Sequence, residues 1–226
     1  MRPVGILGGM GPEATILLMQ KVFEAVPAQD DADHVPLIVH QNPQVPSRIA
    51  ALIDGTGADP GPVLAQMARD LEGAGAAALA MPCNTAHHYA PAVVGASALP
   101  FLNMLDLTAA ALQATGAGRV GMLASPATRL TGVFSSPFAA HGLEAVTLAD
   151  DSALLEIIRA VKAGDRSVAV EAAFTAEADA LIAAGADHLL VACTELSLLS
   201  HALPEGAPWT DSLDCLTRAI VAFAQG

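Results

Sequence analysis

Charge, aromatics and sulfur are all scarce in this chain of 226 residues. Charged residues make up 15% and aromatic residues 4%, and there are three cysteines. So little charge beside 53% hydrophobic residues excludes intrinsic disorder. Basic residues are scarcest: 10 against 23 acidic, a net charge of -13. Such a surface repels phosphate backbones, which excludes generic nucleic-acid binding. It also gives no long-range steering toward an anionic ligand, so local donors must hold any such ligand. The cysteines, Cys83, Cys193 and Cys215, are odd in number and lack CxxC or Cys/His spacing. A disulfide framework and a zinc site are both excluded, leaving packing or chemistry. No apolar run reaches the roughly 18–20 residues of a membrane span. The opening MRPVGILGG runs into a glycine turn without a small-residue cleavage site, and it reads as a first strand and not a signal peptide. A cytoplasmic protein is expected.

What is present is alternation. Val4–Leu7, Leu37–Val39, Ala77–Met81 and Phe101–Leu105 read as buried strands in the first half; Val120–Leu123, Ala145–Leu148 and His188–Ala192 do so in the second. Helical spacing covers Glu13–Val26, Val63–Glu72 and Leu154–Lys162. Apolar strands alternating with helices predict an α/β fold with mainly parallel sheets covered on both faces. The chain also echoes itself. Val4-Gly5-Ile6-Leu7 returns as Val120-Gly121-Met122-Leu123, and the strand ending in Cys83 resembles the one ending in Cys193. Two pseudo-symmetric α/β lobes are expected: residues 1–104 plus 211–226 with Cys83, and 105–210 with Cys193.

Both cysteines close a strand and open a helical segment, in Met81-Pro82-Cys83-Asn84-Thr85-Ala86-His87 and Ala192-Cys193-Thr194-Glu195-Leu196. Ligands of open α/β sheets bind beyond the carboxyl ends of strands. Helix N-terminal amides there favour thiolate over thiol, and a modest fall from a pKa of roughly 8.5 makes a base near neutral pH. The plainer alternative is a small buried hydrophobe. Two thiols facing one ligand carbon would allow one to remove a proton while the other delivers one to the opposite face, inverting a stereocentre. Cys215, within the amphipathic stretch Leu213–Ala224, is expected in the core.

Three motifs then stand in order: Gly8-Gly9-Met10-Gly11-Pro12-Glu13-Ala14-Thr15, Met81 to His87, and Cys193-Thr194-Glu195-Leu196. Over essentially its whole length the chain resembles the aspartate/glutamate racemase family, in its aspartate racemase branch. The resemblance implies cofactor-independent racemisation of acidic amino acids, Cys83 and Cys193 as the acid/base pair, and a homodimer. It places Asn42 and Arg48, in the proline-braced His40–Arg48 loop, against the substrate; the planar fork of arginine suits a carboxylate. Lys162 matches a family lysine that binds a carboxylate, and also fits an ordinary helix C-terminal lysine before Gly164. Ser125 and Thr128 match a carboxylate-binding hydroxyl loop. Asn84, Thr85 and Thr194 are substrate-binding candidates and natural helix caps. Met10 and Gly11 are expected to line the pocket. Glu195 is a further substrate-binding candidate, and it and His87 fit either groups that orient their neighbours or plain first-turn helix residues. Ser47, Ser125, Ala127 and Phe134 depart from the family pattern and bear on specificity.

Rival readings remain open. Relatives with similar cysteines racemise hydantoins, isomerise maleate or decarboxylate malonates. Gly9-Met10-Gly11-Pro12-Glu13-Ala14 also fits a relaxed dinucleotide fingerprint, with Asp30, Asp31 and Asp33 about 20 positions on. Two-lobed α/β proteins also clamp small ligands without chemistry. No metal or nucleic-acid partner is implied.

Overall fold

Strands buried on both faces are long in apolar residues and short in alternation, and they dominate the core here. In β1 (Val4–Gly8), Val4 and Ile6 enter one hydrophobic cluster and Leu7 the opposite one. Parallel sheets show this because their helical crossovers cover both faces. The computed structural model describes residues 1–226. Its other strands are β2 (Leu37–Gln41), β3 (Ala78–Ala80), β4 (Phe101–Leu102), β5 (Arg119–Ala124), β6 (Glu144–Val146), β7 (His188–Ala192) and β8 (Trp209–Asp211). They form two sheets, ordered β2-β1-β3-β4 and β6-β5-β7-β8, with every pairing parallel. The architecture is the expected one: α/β, in two lobes.

The internal echo is a packing equivalence. A Cβ on Gly5 would meet Ala76 Cβ at 2.9 Å, with Leu79 and Leu71 next; on Gly121 it would meet Ala186 Cβ at 2.9 Å, with Leu189 and Leu181 next. Each central strand thus admits its covering helix only because it carries glycine at that point. On the second sheet, Leu123, Leu189 and Val191 pack with Phe174 and Leu181, while Val120, Met122 and Leu190 pack with Phe134 and Phe138.

Two helices tie the sheets together. Ser212–Gln225 follows β8 of the second sheet but lays Leu213, Leu216, Ile220 and Ala224 against Val4 and Ile6 of the first. Met104–Thr115 contributes Met104 to that core, and Leu105, Ala109 and Leu112 to the second lobe. No helix is long and apolar enough to cross a membrane.

Some boundaries differ from the sequence reading. The strand expected over Phe101–Leu105 ends at Leu102, because the Asn103 side chain accepts the Leu105 N–H and caps the following helix. Strand β8 has no apolar run to announce it. The segments after the two cysteines, Thr85–Tyr89 and Leu196–Ala202, are 3₁₀ turns and not α-helices.

Candidate active site

In each sheet the chain runs from the first central strand to one edge and returns on the other side. The crevice beyond β1 and β3, like that beyond β5 and β7, is therefore a topological switch point, where ligands of such sheets bind. Loops from both lobes close on a single cavity of about 430 Å³, within the roughly 300–1,000 Å³ of small-molecule sites. Cys83 and Cys193, both free and buried, line it. Cys215 is buried in the C-terminal helix and does not.

The loop after β1 is drawn tight from inside. Thr15 Oγ1 accepts the Gly9 N–H at 2.9 Å and donates to the Gly11 carbonyl at 3.2 Å. Gly9 has φ of 94°, and a Cβ there would fall within 2.6 Å of the Asn42 backbone nitrogen. Glycine is required on both counts. The close approach sets the loops after β1 and β2 side by side, with Met10, Gly11 and Arg48 on the cavity wall.

Around Cys193 the chemistry is charged. Its Sγ donates to Glu195 Oε2 at 3.2 Å, and Glu195 Oε1 accepts from the Lys162 ammonium. Burial opposes the Lys162 charge, but the carboxylate more than offsets it and holds the pKa above the usual lysine value. The expected thiolate-favouring environment is corrected here. Burial first, then the Glu195 charge, push the Cys193 thiol well above the usual range, and Lys162 offsets only part of this. A helix-terminus argument sees neither burial nor a facing carboxylate.

Around Cys83 the groups are neutral. His87 Nε2 accepts the Met104 N–H at 3.2 Å, which leaves its ring proton on Nδ1, donating to the Cys83 carbonyl at 2.8 Å. Burial lowers the His87 pKa to about 4, so the ring is an uncharged clamp. The capping role expected for Asn84, Thr85 and Thr194 is not what they do. Asn84 Nδ2 donates to Ser212 Oγ at 2.9 Å, Thr85 Oγ1 meets Thr128 Oγ1 at 2.8 Å, and Thr194 Oγ1 donates to the Pro82 carbonyl at 3.2 Å. The last two bonds join segments of opposite sheets directly behind the cysteines. Asn84 Oδ1 is buried with no partner.

Arg48 opens the short helix Arg48–Leu52, whose cap is Ser47, its Oγ accepting the Ala50 N–H. The guanidinium Nη1 donates to the Pro46 carbonyl at 3.0 Å, while Nε is buried without a partner. Of the two cations on the wall, Lys162 is paired and Arg48 has no carboxylate. Glu13 is paired with Arg166 at 2.7 Å.

The cavity thus gathers Met10, Gly11, Arg48, Cys83, Asn84, Thr85, Ser125, Lys162, Cys193, Thr194 and Glu195. Asn42 and Thr128 are not on its wall. Asn42 Oδ1 is spent on the Gln44 N–H, bracing the loop; Thr128 backs Thr85 and borders a separate cavity, as does Phe134. Sequence reasoning missed Pro43, Val45, Ile49 and Ile158. Ile158 was findable, one helical turn before Lys162. The dinucleotide alternative loses its acid: Asp30 and Asp33 cap their own turn, and β2 ends in Gln41. No group of three or more His, Cys, Asp or Glu is arranged to hold a metal ion.

Residues 7–220 match the family model described as Asp/Glu/Hydantoin racemase. The chain belongs to that family, which makes it an isomerase by class. It is similar to the broad specificity amino-acid racemase RacX of Bacillus subtilis, 25% identical over 233 residues covering 97% of this chain and 96% of that protein. Its fold matches the Picrophilus torridus aspartate racemase with a TM-score of 0.85 at 29% identity, over 100% of this chain and 95% of that one. An aspartate racemase homologue from Pyrococcus horikoshii shares the fold at 20% identity, with a TM-score of 0.77 over the whole of both chains.

Proposed function

We propose that the protein is a cofactor-independent amino-acid racemase acting on aspartate, glutamate or both through Cys83 and Cys193. One observation carries this reading: cysteines at equivalent strand ends of two equivalent lobes border one cavity. The thiolate of one takes the α-proton from one face of the substrate. The thiol of the other supplies a proton to the opposite face, and the roles reverse for the other enantiomer. The Arg48 guanidinium, steadied on the Pro46 carbonyl and paired with no carboxylate of the protein, takes a substrate carboxylate. The Ser125 hydroxyl, which only accepts within the protein, and the second amide hydrogen of Asn84 supply donors near the reacting carbon, where negative charge develops. Thr85 and Thr194 hold the loops of the two lobes around that carbon. The unpaired cation and the likeness to an aspartate racemase and a broad specificity amino-acid racemase support that substrate class.

The lobe division at 104/105 and 210/211 belongs to this reading and gives each lobe one acid/base residue. So do a homodimer, which sedimentation tests, and a cytoplasmic location. A chiral-chromatography screen of L- and D-amino acids without added cofactor tests the activity, with hydantoins in the same panel. Cys83→Ala and Cys193→Ala each abolish racemisation, while each retains α-proton exchange in D2O for one enantiomer. Full racemisation by either variant would refute the two-thiol assignment.

A further inference from the structure

Glu195 holds two partners whose demands conflict. Its Oε1 is bound by Lys162 and its Oε2 accepts the Cys193 proton at 3.2 Å. With its charge satisfied by the lysine, the carboxylate is a poor proton acceptor and the proton stays on sulfur. Cys193 nevertheless has to lose that proton to act as a base. The arrangement offers a way out, because Lys162 is the more open partner, its side chain 35% exposed against 9% for Glu195. Across from the pair lies Gly11, whose missing Cβ would sit 3.2 Å from Glu195 Oε1 and 3.7 Å from Lys162 Nζ. Glycine there leaves the ion pair open to an entering ligand.

We propose that Glu195 is a positioning residue that exchanges partners: an entering substrate carboxylate takes Lys162, and the released Glu195 accepts the Cys193 proton. The S–H bond breaks with its electron pair left on sulfur, an O–H bond forms at Glu195 Oε2, and no oxidant or co-reactant is consumed. Lys162 also lowers the Cys193 thiol, but it bonds Glu195 directly and not the sulfur. Loss of the ammonium therefore strengthens the carboxylate's hold on a proton more than the sulfur's. When product leaves, Lys162 returns and the proton moves back to sulfur. The ionisable groups around the pair are Cys193 on the segment of Glu195, Cys83 on the segment after β3, Glu13 after β1, itself paired with Arg166, and Arg48 after β2; both thiols act on the Lys162 charge. A ligand with no carboxylate to offer Lys162 leaves the thiol loaded, so the site activates itself only for acids of the right reach. This step rests on the racemase reading.

The test uses the Cys83→Ala/Cys215→Ala chain, in which Cys193 is the sole thiol. Its ultraviolet thiolate absorbance at neutral pH is followed during titration with succinate, with succinamide as the uncharged control. Succinate raises the signal saturably toward one thiolate per chain, and succinamide does not. Glu195→Gln abolishes the rise although calorimetry still detects succinate, and Glu195→Asp keeps part of it. In the otherwise intact enzyme Glu195→Gln moves the acid limb of kcat up by about one pH unit or more, a change that a purely structural role would not produce. Succinate binding with no rise, or a rise that survives Glu195→Gln, overturns the exchange. A wild-type protein that racemises amino acids while its succinate titration stays flat loses this step alone. One that racemises none loses the racemase reading, and the exchange falls with it.

Discussion

Removing the Arg48 guanidinium separates substrate capture from folding. Its Nη1 is anchored on the Pro46 carbonyl at 3.0 Å, Nε is buried without a partner, and no carboxylate of the protein neutralises it. It is only half-buried and lines the cavity, so its truncation enlarges that cavity and opens no void in the core. In the proposed clamp a substrate carboxylate makes two charge-assisted bonds to the fork. Losing one partner of such a pair costs about 2–5 kcal/mol, or roughly 30- to several-thousand-fold in kcat/KM. Arg48→Ala is expected in that range, with the loss mainly in KM because both ground and transition states use the clamp. Arg48→Lys keeps the charge and loses the planar fork, and should fall between the two. The assay is initial-rate racemisation by chiral chromatography, with thermal melting alongside. A kcat/KM within about threefold of wild type, from a folded Arg48→Ala protein, would remove the clamp.

Asp211 gives a stability prediction with a sign. Burial and then Asp214 raise its pKa to about 7, against about 3.9 unfolded. The folded state therefore binds the proton more tightly, and stability from this group is full below about pH 4 and falls as pH rises through about 7, a total of about 4 kcal/mol. Asp211→Asn keeps an acceptor for Ser197 and the Leu213 N–H, so its stability relative to wild type should improve steadily across that window in urea denaturation; a pH-independent difference would contradict the burial argument. Gly5→Ala and Gly121→Ala each bring a Cβ to 2.9 Å from an alanine Cβ. Each should cost about 1–3 kcal/mol by overpacking, and a neutral effect at either position would break the lobe equivalence.

How far the residues alone reach depends on the range of the interaction that decides each feature. The strands ending at Ala80 and Ala192 were legible because burial on both faces leaves an unbroken apolar run, and the cysteines were legible because they end such runs. Trp209-Thr210-Asp211 carries no such run, and only its pairing with β7 makes it a strand. Asn84 looks like a cap because capping is local, but its partner Ser212 lies 128 residues away. The Cys193 environment was misread for the same reason. The local rule, amides at a helix start, was visible; burial and the Lys162 side chain folded over Glu195 were not.

The doubled scaffold also limits what the unlike surroundings of the two thiols are able to do. Two residues beyond Cys193 stands Glu195, and two beyond Cys83 stands Thr85; one thiol faces a charged relay and the other a neutral histidine-braced turn. In any reversible reaction the ratio of kcat/KM in the two directions equals the equilibrium constant whatever the bases are. Between enantiomers that constant is one, so in the proposed racemisation kcat/KM is the same from either side. The asymmetry is confined to kcat and KM taken separately, to pH profiles and to isotope exchange. In the proposed mechanism the divergence falls on how each thiol recovers its proton, because the Lys162–Glu195 pair is bonded to Cys193 and makes no bond to Cys83.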